Sequence, residues 1–164
     1  MNSQASEIEK CIGQLAAALQ AKGWTLACAE SCTGGWIGKC CTDREGSSAW
    51  FDRSYVAYSY PAKTEMLGVP EQRLLEFGAV SAEIACAMAE GAKQRSGVQV
   101  ALAVTGVAGP GGGTDSKPVG TVWFAWDISG HKVEAEKRLF SGDRDAVRRA
   151  TVLHALRGLQ QRLR

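Results

Sequence analysis

The chain has 164 residues, 45% of them hydrophobic and 22% charged, with a formal net charge of +2. That length suits one domain over residues 1–164 with a substantial core, and the composition is that of a soluble globular protein. A charge so close to neutrality argues against nucleic acid or a membrane surface as a partner.

The N-terminus, Met1-Asn2-Ser3-Gln4, lacks a basic-then-apolar signal layout, and no apolar run approaches a membrane span, so a cytoplasmic protein is expected. Ser6-Glu7-Ile8-Glu9 has the form of a capping box opening a helix. Ile8, Ile12, Leu15 and Leu19 recur at helical spacing, and Gly23 closes that helix. Trp24 to Cys28 is of strand type, and Trp36 to Thr42 of helix type. Ser54 to Tyr60 is aromatic and β-branched, hence a strand, with Tyr58 and Tyr60 on one face. Pro61 stops it and suits a first helical turn. A short helix over Ala62 to Leu67 then ends at Gly68, and Ser81 caps a helix running to Arg95.

Val98 to Val104 is nearly all apolar, as a strand buried on both faces should be, and the loop Gly106 to Gly113 follows. Thr121 to Ile128 and Lys132 to Phe140 form a hairpin closed near Ser129-Gly130. Asp143 begins a last helix with Val147, Ala150, Leu153, Leu156 and Leu159 on one side. Its arginines, Arg148, Arg149, Arg157, Arg162 and Arg164, are expected on a solvated face. Early alternation of strand and helix with a late hairpin predicts a three-layer α/β/α sandwich with a mixed sheet.

The stretch Glu30-Ser31-Cys32-Thr33-Gly34-Gly35 lies between the first strand and the Trp36 helix. A serine on such a turn is either a helix cap or a nucleophile beside an oxyanion site made by unpaired N–H groups, here near Thr33 and Gly34. Glu30 is structural or holds the turn. Lys63 is either a surface lysine or, if burial lowers its pKa, a base. The glycines from Gly106 to Gly113 suit either a mobile loop or close backbone approach to a ligand. The six cysteines include no Cys-x-x-Cys pair, and His131 and His154 are far from them. Buried reduced thiols are therefore expected rather than zinc ligands, although Cys32 adjoins Ser31. Thr33 to Cys40 fails as a phosphate-binding P-loop, lacking its first glycine and its final Ser or Thr.

Five segments in order carry a resemblance. Glu30 to Gly35 is joined by Gly78-Ala79-Val80-Ser81, Thr105-Gly106-Val107-Ala108-Gly109-Pro110, Lys117-Pro118-Val119-Gly120-Thr121-Val122 and Phe140-Ser141-Gly142-Asp143-Arg144. Together they resemble the CinA C-terminal domain family, from about Ile8 to the C-terminus. The resemblance implies an amidohydrolase converting nicotinamide mononucleotide (NMN) to nicotinate mononucleotide and ammonia, in pyridine-nucleotide recycling. It implies Ser31 as the nucleophile and Lys63 as the acceptor of its proton. Tyr58 would relay that proton or orient Lys63, with a core aromatic as the competing role.

It further implies a substrate cleft formed by the glycine-rich loop, with Thr105 and Gly106 at the reacting centre. Ser47-Ser48 and Arg144 are additional candidates, Arg144 as a phosphate ligand. No metal or other cofactor is implied, and a homo-oligomer, a dimer or larger, is. The family commonly reads Tyr-Ser-Asn where this chain has Tyr58-Ser59-Tyr60, which puts a contact at Tyr60 in question. A larger molybdopterin-binding-like domain often precedes this one in the family, and its activity is not expected here. The competing expectation is a nucleotide-binding module without catalysis.

Overall fold

Strands and helices alternate as far as the second strand, three helices in a row then lead to the third strand, and a strand pair and a last helix complete the chain. The computed structural model describes residues 3–164; Met1 and Asn2, part of the expected domain span, lie outside the described residues. The elements are α1 (Ser3–Lys22), β1 (Leu26–Glu30), α2 (Trp36–Thr42), β2 (Phe51–Val56), α3 (Tyr60–Leu67), α4 (Glu71–Phe77), α5 (Ala82–Ser96), β3 (Val100–Gly106), β4 (Thr121–Ile128), β5 (Glu134–Leu139) and α6 (Arg144–Arg162). A 3-10 turn over Ser47–Ala49 precedes β2.

The five strands form one mixed sheet in the order β2-β1-β3-β4-β5. β2, β1 and β3 are parallel, whereas β4 and β5 return antiparallel. Helices cover both faces, giving the expected three layers. α1, α2 and α6 pack on Leu26, Cys28, Val100, Leu102, Phe124 and Trp126. α3, α4 and α5 pack on Ala29, Ala101, Ala103 and Ala125. The two faces therefore differ in bulk: large side chains hold one helical layer off, while alanines let α5 settle close.

That closeness leaves no slack at Gly91 of α5. A Cβ there would sit 1.9 Å from the Leu67 carbonyl oxygen at the end of α3. Gly91→Ala is expected to cost about 3 kcal/mol, well above the ~1 kcal/mol gained in helix propensity, because backbone must move. It should also disturb Lys63, one helical turn before Leu67. A lower melting temperature with reduced ligand turnover would bear this out.

Several boundaries differ from the sequence reading. α1 starts at Ser3, and the Ser6 hydroxyl donates to the Ser3 carbonyl at 2.8 Å instead of capping the helix. β1 is shifted two residues on, so that Glu30 still pairs with Val56 and Val104. β2 ends at Val56, and Tyr60 already belongs to α3, whose N-cap Ser59 accepts from the Ala62 N–H. Tyr58 and Tyr60 thus share no strand face. α4 has one buried residue, Leu74, too little periodicity to signal a helix. α2, β4 and the Ser81 cap of α5 lie where expected.

Candidate active site

Strand order places the site. β1 is followed by α2 on one face, and β2 leads to α3–α5 on the other, before the chain returns as β3 beside β1. The crevice beyond the C-terminal ends of β1 and β3 is the switch point where ligands bind in open α/β sheets. Ser31, directly after β1, and the loop that follows β3 both lie at that end of the sheet, and the Ser31 N–H donates to the Val104 carbonyl at 3.1 Å.

Glu30 organises the Ser31 turn from below. It is fully buried, and its carboxylate accepts from Thr33 Oγ1 at 2.7 Å, the Ile37 N–H at 2.8 Å, the Gly38 N–H at 2.9 Å and Ser54 Oγ at 2.6 Å. Two of these donors are orphan amides of the first turn of α2, whose N-cap Gly35 has no side chain to serve them. Gly34 and Gly35 take the left-handed conformation, with φ of 60° and 96°, that the sharp turn requires.

Lys63 reaches the turn from α3. It is 1% exposed, and its Nζ lies 3.0 Å from Ser31 Oγ, 3.0 Å from the Ala57 carbonyl and 2.8 Å from the Tyr58 carbonyl. Burial pushes its pKa down from the ordinary 10.5 to about 8, with Cys32 pulling weakly the other way. In its neutral form the amine has two N–H bonds for the two carbonyls and one lone pair for the Ser31 hydroxyl. Ser31 itself is 7% exposed. The pair is therefore a shielded hydroxyl beside an amine that ionises near neutrality, a nucleophile–base geometry. Cys32 faces the α1/α2/α6 core, and burial pushes its thiol up to about 12.

Other expected residues fall in different relations to this pair. Tyr58 meets Lys63 through its carbonyl, while the residue as a whole is 63% exposed. Thr105 is buried beside Ser31, but its hydroxyl donates to the Ala79 carbonyl at 2.9 Å, fastening the loop before α5. Gly106 is required by packing: a Cβ there would lie 2.8 Å from the Thr121 carbonyl oxygen. Arg144 donates to the Gly109 carbonyl at 2.7 Å and so holds the glycine-rich loop.

One expectation about the turn changes. The Gly34 N–H donates to the Ser31 carbonyl at 3.1 Å, and Thr33 is fully enclosed with its hydroxyl on Glu30. The Gly34 N–H is therefore taken within the turn, and the Thr33 hydroxyl, though not its N–H, is taken by Glu30. Among the described residues no backbone carbonyl takes the Cys32 N–H or the Thr33 N–H. Ser48 is corrected outright. It precedes β2, whose Phe51 pairs with Leu26 at the start of β1, so it lies at the opposite end of the sheet, about 15 Å of strand from Ser31.

Sequence reasoning missed Arg148. Its Nε donates to the Cys32 carbonyl and its Nη2 to the Thr33 carbonyl, both at 3.1 Å. The solvated arginine face holds for Arg157 and Arg164, which are exposed, and is corrected for the other three: Arg148 and Arg149 lie over Trp36, and Arg162 over Trp126. Tyr60 has a role of its own, its phenol oxygen accepting the Ala79 N–H at 3.2 Å. Lys117 donates to the Phe77 carbonyl at 2.9 Å, so the segment Phe77 to Ala79 is tied from three sides.

Comparison with known proteins bears on this arrangement. The profile of the CinA C-terminal domain matches residues 8–163. The chain belongs to the CinA C-terminal domain family.

Relatives of this CinA domain include the nicotinamide-nucleotide amidohydrolase PncC of Escherichia coli K12, 47% identical over 156 residues, which cover 95% of this chain and 94% of that one. The protein of the same name from Pseudomonas putida is 56% identical over 133 residues, 81% of this chain and 82% of its own. Among solved structures, the competence damage-inducible protein A of Klebsiella pneumoniae superimposes with a TM-score of 0.91 at 37% identity, covering 95% of this chain and 96% of that one. The three-layer CinA fold expected from the motifs is thus the fold observed. No helix among the described residues of this CinA domain is long and apolar enough to cross a membrane.

Proposed function

We propose that the chain is an amidohydrolase that converts NMN to nicotinate mononucleotide and ammonia, with Ser31 as nucleophile and Lys63 as base. The observation that carries the reading is the 3.0 Å contact between Ser31 Oγ and a buried lysine whose pKa is lowered to about 8. The relatives named for this activity support the choice of substrate.

Neutral Lys63 accepts the Ser31 proton as Oγ attacks the carboxamide carbon. The carbonyl oxygen becomes an oxyanion, held by the Cys32 N–H immediately after the nucleophile. The C–N bond then breaks, and the Lys63 ammonium returns its proton to the departing nitrogen, which leaves as ammonia. Lys63, neutral again, takes a proton from the water that attacks the ester and gives it to Ser31 Oγ as the acid departs. Tyr58 acts through its carbonyl, which with that of Ala57 turns the amine lone pair toward Ser31. Arg144 places a cation at the rim of the glycine-rich loop, where it suits the substrate phosphate. Recycling of pyridine nucleotides is the setting this chemistry fits.

The test is incubation of the purified protein with NMN. Ammonia and nicotinate mononucleotide in equal amounts are expected. Saturable NMN binding with no ammonia would support a non-catalytic nucleotide-binding module instead.

A further inference from the structure

The Cys32 N–H sits at the end of a chain of peptide planes that begins on α6. In a trans peptide the C=O and the N–H of one plane point in opposite directions, so fixing either end fixes the other. Arg148 Nη2 donates to the Thr33 carbonyl at 3.1 Å. The far end of that plane is the Gly34 N–H, which donates to the Ser31 carbonyl at 3.1 Å. The far end of that second plane is the Cys32 N–H. Arg148 Nε meanwhile holds the Cys32 carbonyl, in the plane between, at 3.1 Å. Three consecutive planes are thereby set by one guanidinium and one turn hydrogen bond.

The guanidinium is itself held in place. It stacks over the Trp36 ring, 5.5 Å from its centroid. Position 34 favours glycine for its φ of 60°, and the place a Cβ would take there lies in van der Waals contact with Arg148 Nη2, at 3.4 Å. A planar fork can serve two successive carbonyls at once, which a lysine ammonium on a flexible stem cannot do with the same geometry. α6 packs on the α1/α2 face, whereas Lys63 approaches from the α3/α5 face. The carbonyl of Cys32 is thus drawn toward the side away from the reacting hydroxyl.

We propose that Arg148 is the positioning residue of the oxyanion site, fixing the Cys32 N–H through the Thr33 and Ser31 carbonyl planes. The inference rests on the Ser31 mechanism proposed above, and deepens it by assigning the oxyanion donor a support on α6.

The test compares Arg148→Met, Arg148→Lys and Arg149→Met with the unaltered protein. Arg149 lies over the same Trp36 ring but donates to neither carbonyl, so it controls for charge and stacking. Two rates are read: kcat and KM for NMN, and the rate at which a fluorophosphonate labels Ser31. That reagent needs an activated serine and an oxyanion site but no nucleotide recognition. Loss of a single oxyanion donor typically lowers turnover about 10²- to 10³-fold. Arg148→Met is expected to lower both kcat and labelling by about 10²-fold with KM within about threefold, Arg148→Lys by less, and Arg149→Met not at all. Full labelling in Arg148→Met overturns the proposal, as does a loss in Arg148→Lys and Arg149→Met alike. Unaltered protein that is labelled at Ser31 but releases no ammonia from NMN would refute the substrate reading alone, and labelling would still decide the role of Arg148.

Discussion

Ser31→Ala is expected to lower ammonia release from NMN by about 10⁴- to 10⁶-fold, the scale on which loss of a serine nucleophile acts. The fold should survive, because what Ser31 contributes to the turn is main chain: its N–H to Val104 and its carbonyl to Gly34. The hydroxyl meets Lys63 Nζ, and alanine removes that contact without adding volume. Cys32 cannot take over. Its thiol is packed in the α1/α2/α6 core and pushed up to about 12, so almost none is thiolate at neutral pH. An unchanged circular dichroism spectrum with turnover at background would match the expectation. Turnover above one tenth of wild type would contradict it.

Lys63→Met should be nearly as severe, and the pH dependence of the wild type should say why. The base form of Lys63 is the active one and its pKa lies at about 8. Below that value kcat/KM for NMN is expected to rise about tenfold per pH unit, and above it to level off. A profile that is flat from pH 6 to 9, or that falls, would remove Lys63 from the role of base.

The same ionisation is tied to stability. Lys63 has a folded pKa of about 8 against 10.5 ordinarily, so between those values the unfolded chain binds more protons than the folded one. Wild-type stability therefore gains from this group as pH rises through that window; the burden is complete below 8 and gone above 10.5. Lys63→Met lacks the burden at every pH. The stability of wild type relative to Lys63→Met should accordingly rise by about 3 kcal/mol between pH 7.5 and 11. Denaturant melts of both proteins at the two pH values read this difference directly.

The layers of the fold were legible because periodicity is a local property. The apolar run at Val98 to Val104 and the stripe through Val147 and Leu156 each report burial from neighbouring residues alone. Element ends were less legible, as at Ser6, where a hydroxyl suited to capping turned back onto a carbonyl inside the helix. Of the site, Ser31 and Lys63 could be named from the family motifs, and the structure brings them to 3.0 Å. The support around them was legible only in part: Glu30 was expected to hold the turn or serve structure, but its donors and the reach of Arg148 were not foreseen. Glu30 draws its donors from Thr33, α2 and β2, and Arg148 reaches carbonyls more than a hundred residues away. A lone arginine beside a helix's apolar stripe gives no sign of which backbone it will meet. Ser48 failed for the converse reason: proximity in sequence to β2 says nothing about which end of the sheet a residue occupies.

The most direct measurement is the product distribution when the wild-type protein turns over NMN in hydroxylamine, with Ser31→Ala as the background. An acyl-Ser31 ester would partition between the two nucleophiles. Nicotinohydroxamate mononucleotide should therefore appear beside nicotinate mononucleotide, in a ratio that grows with hydroxylamine concentration. Nicotinate mononucleotide alone across that range, with ammonia release undiminished, would mean that water attacks the carboxamide directly and that Ser31 is not the nucleophile.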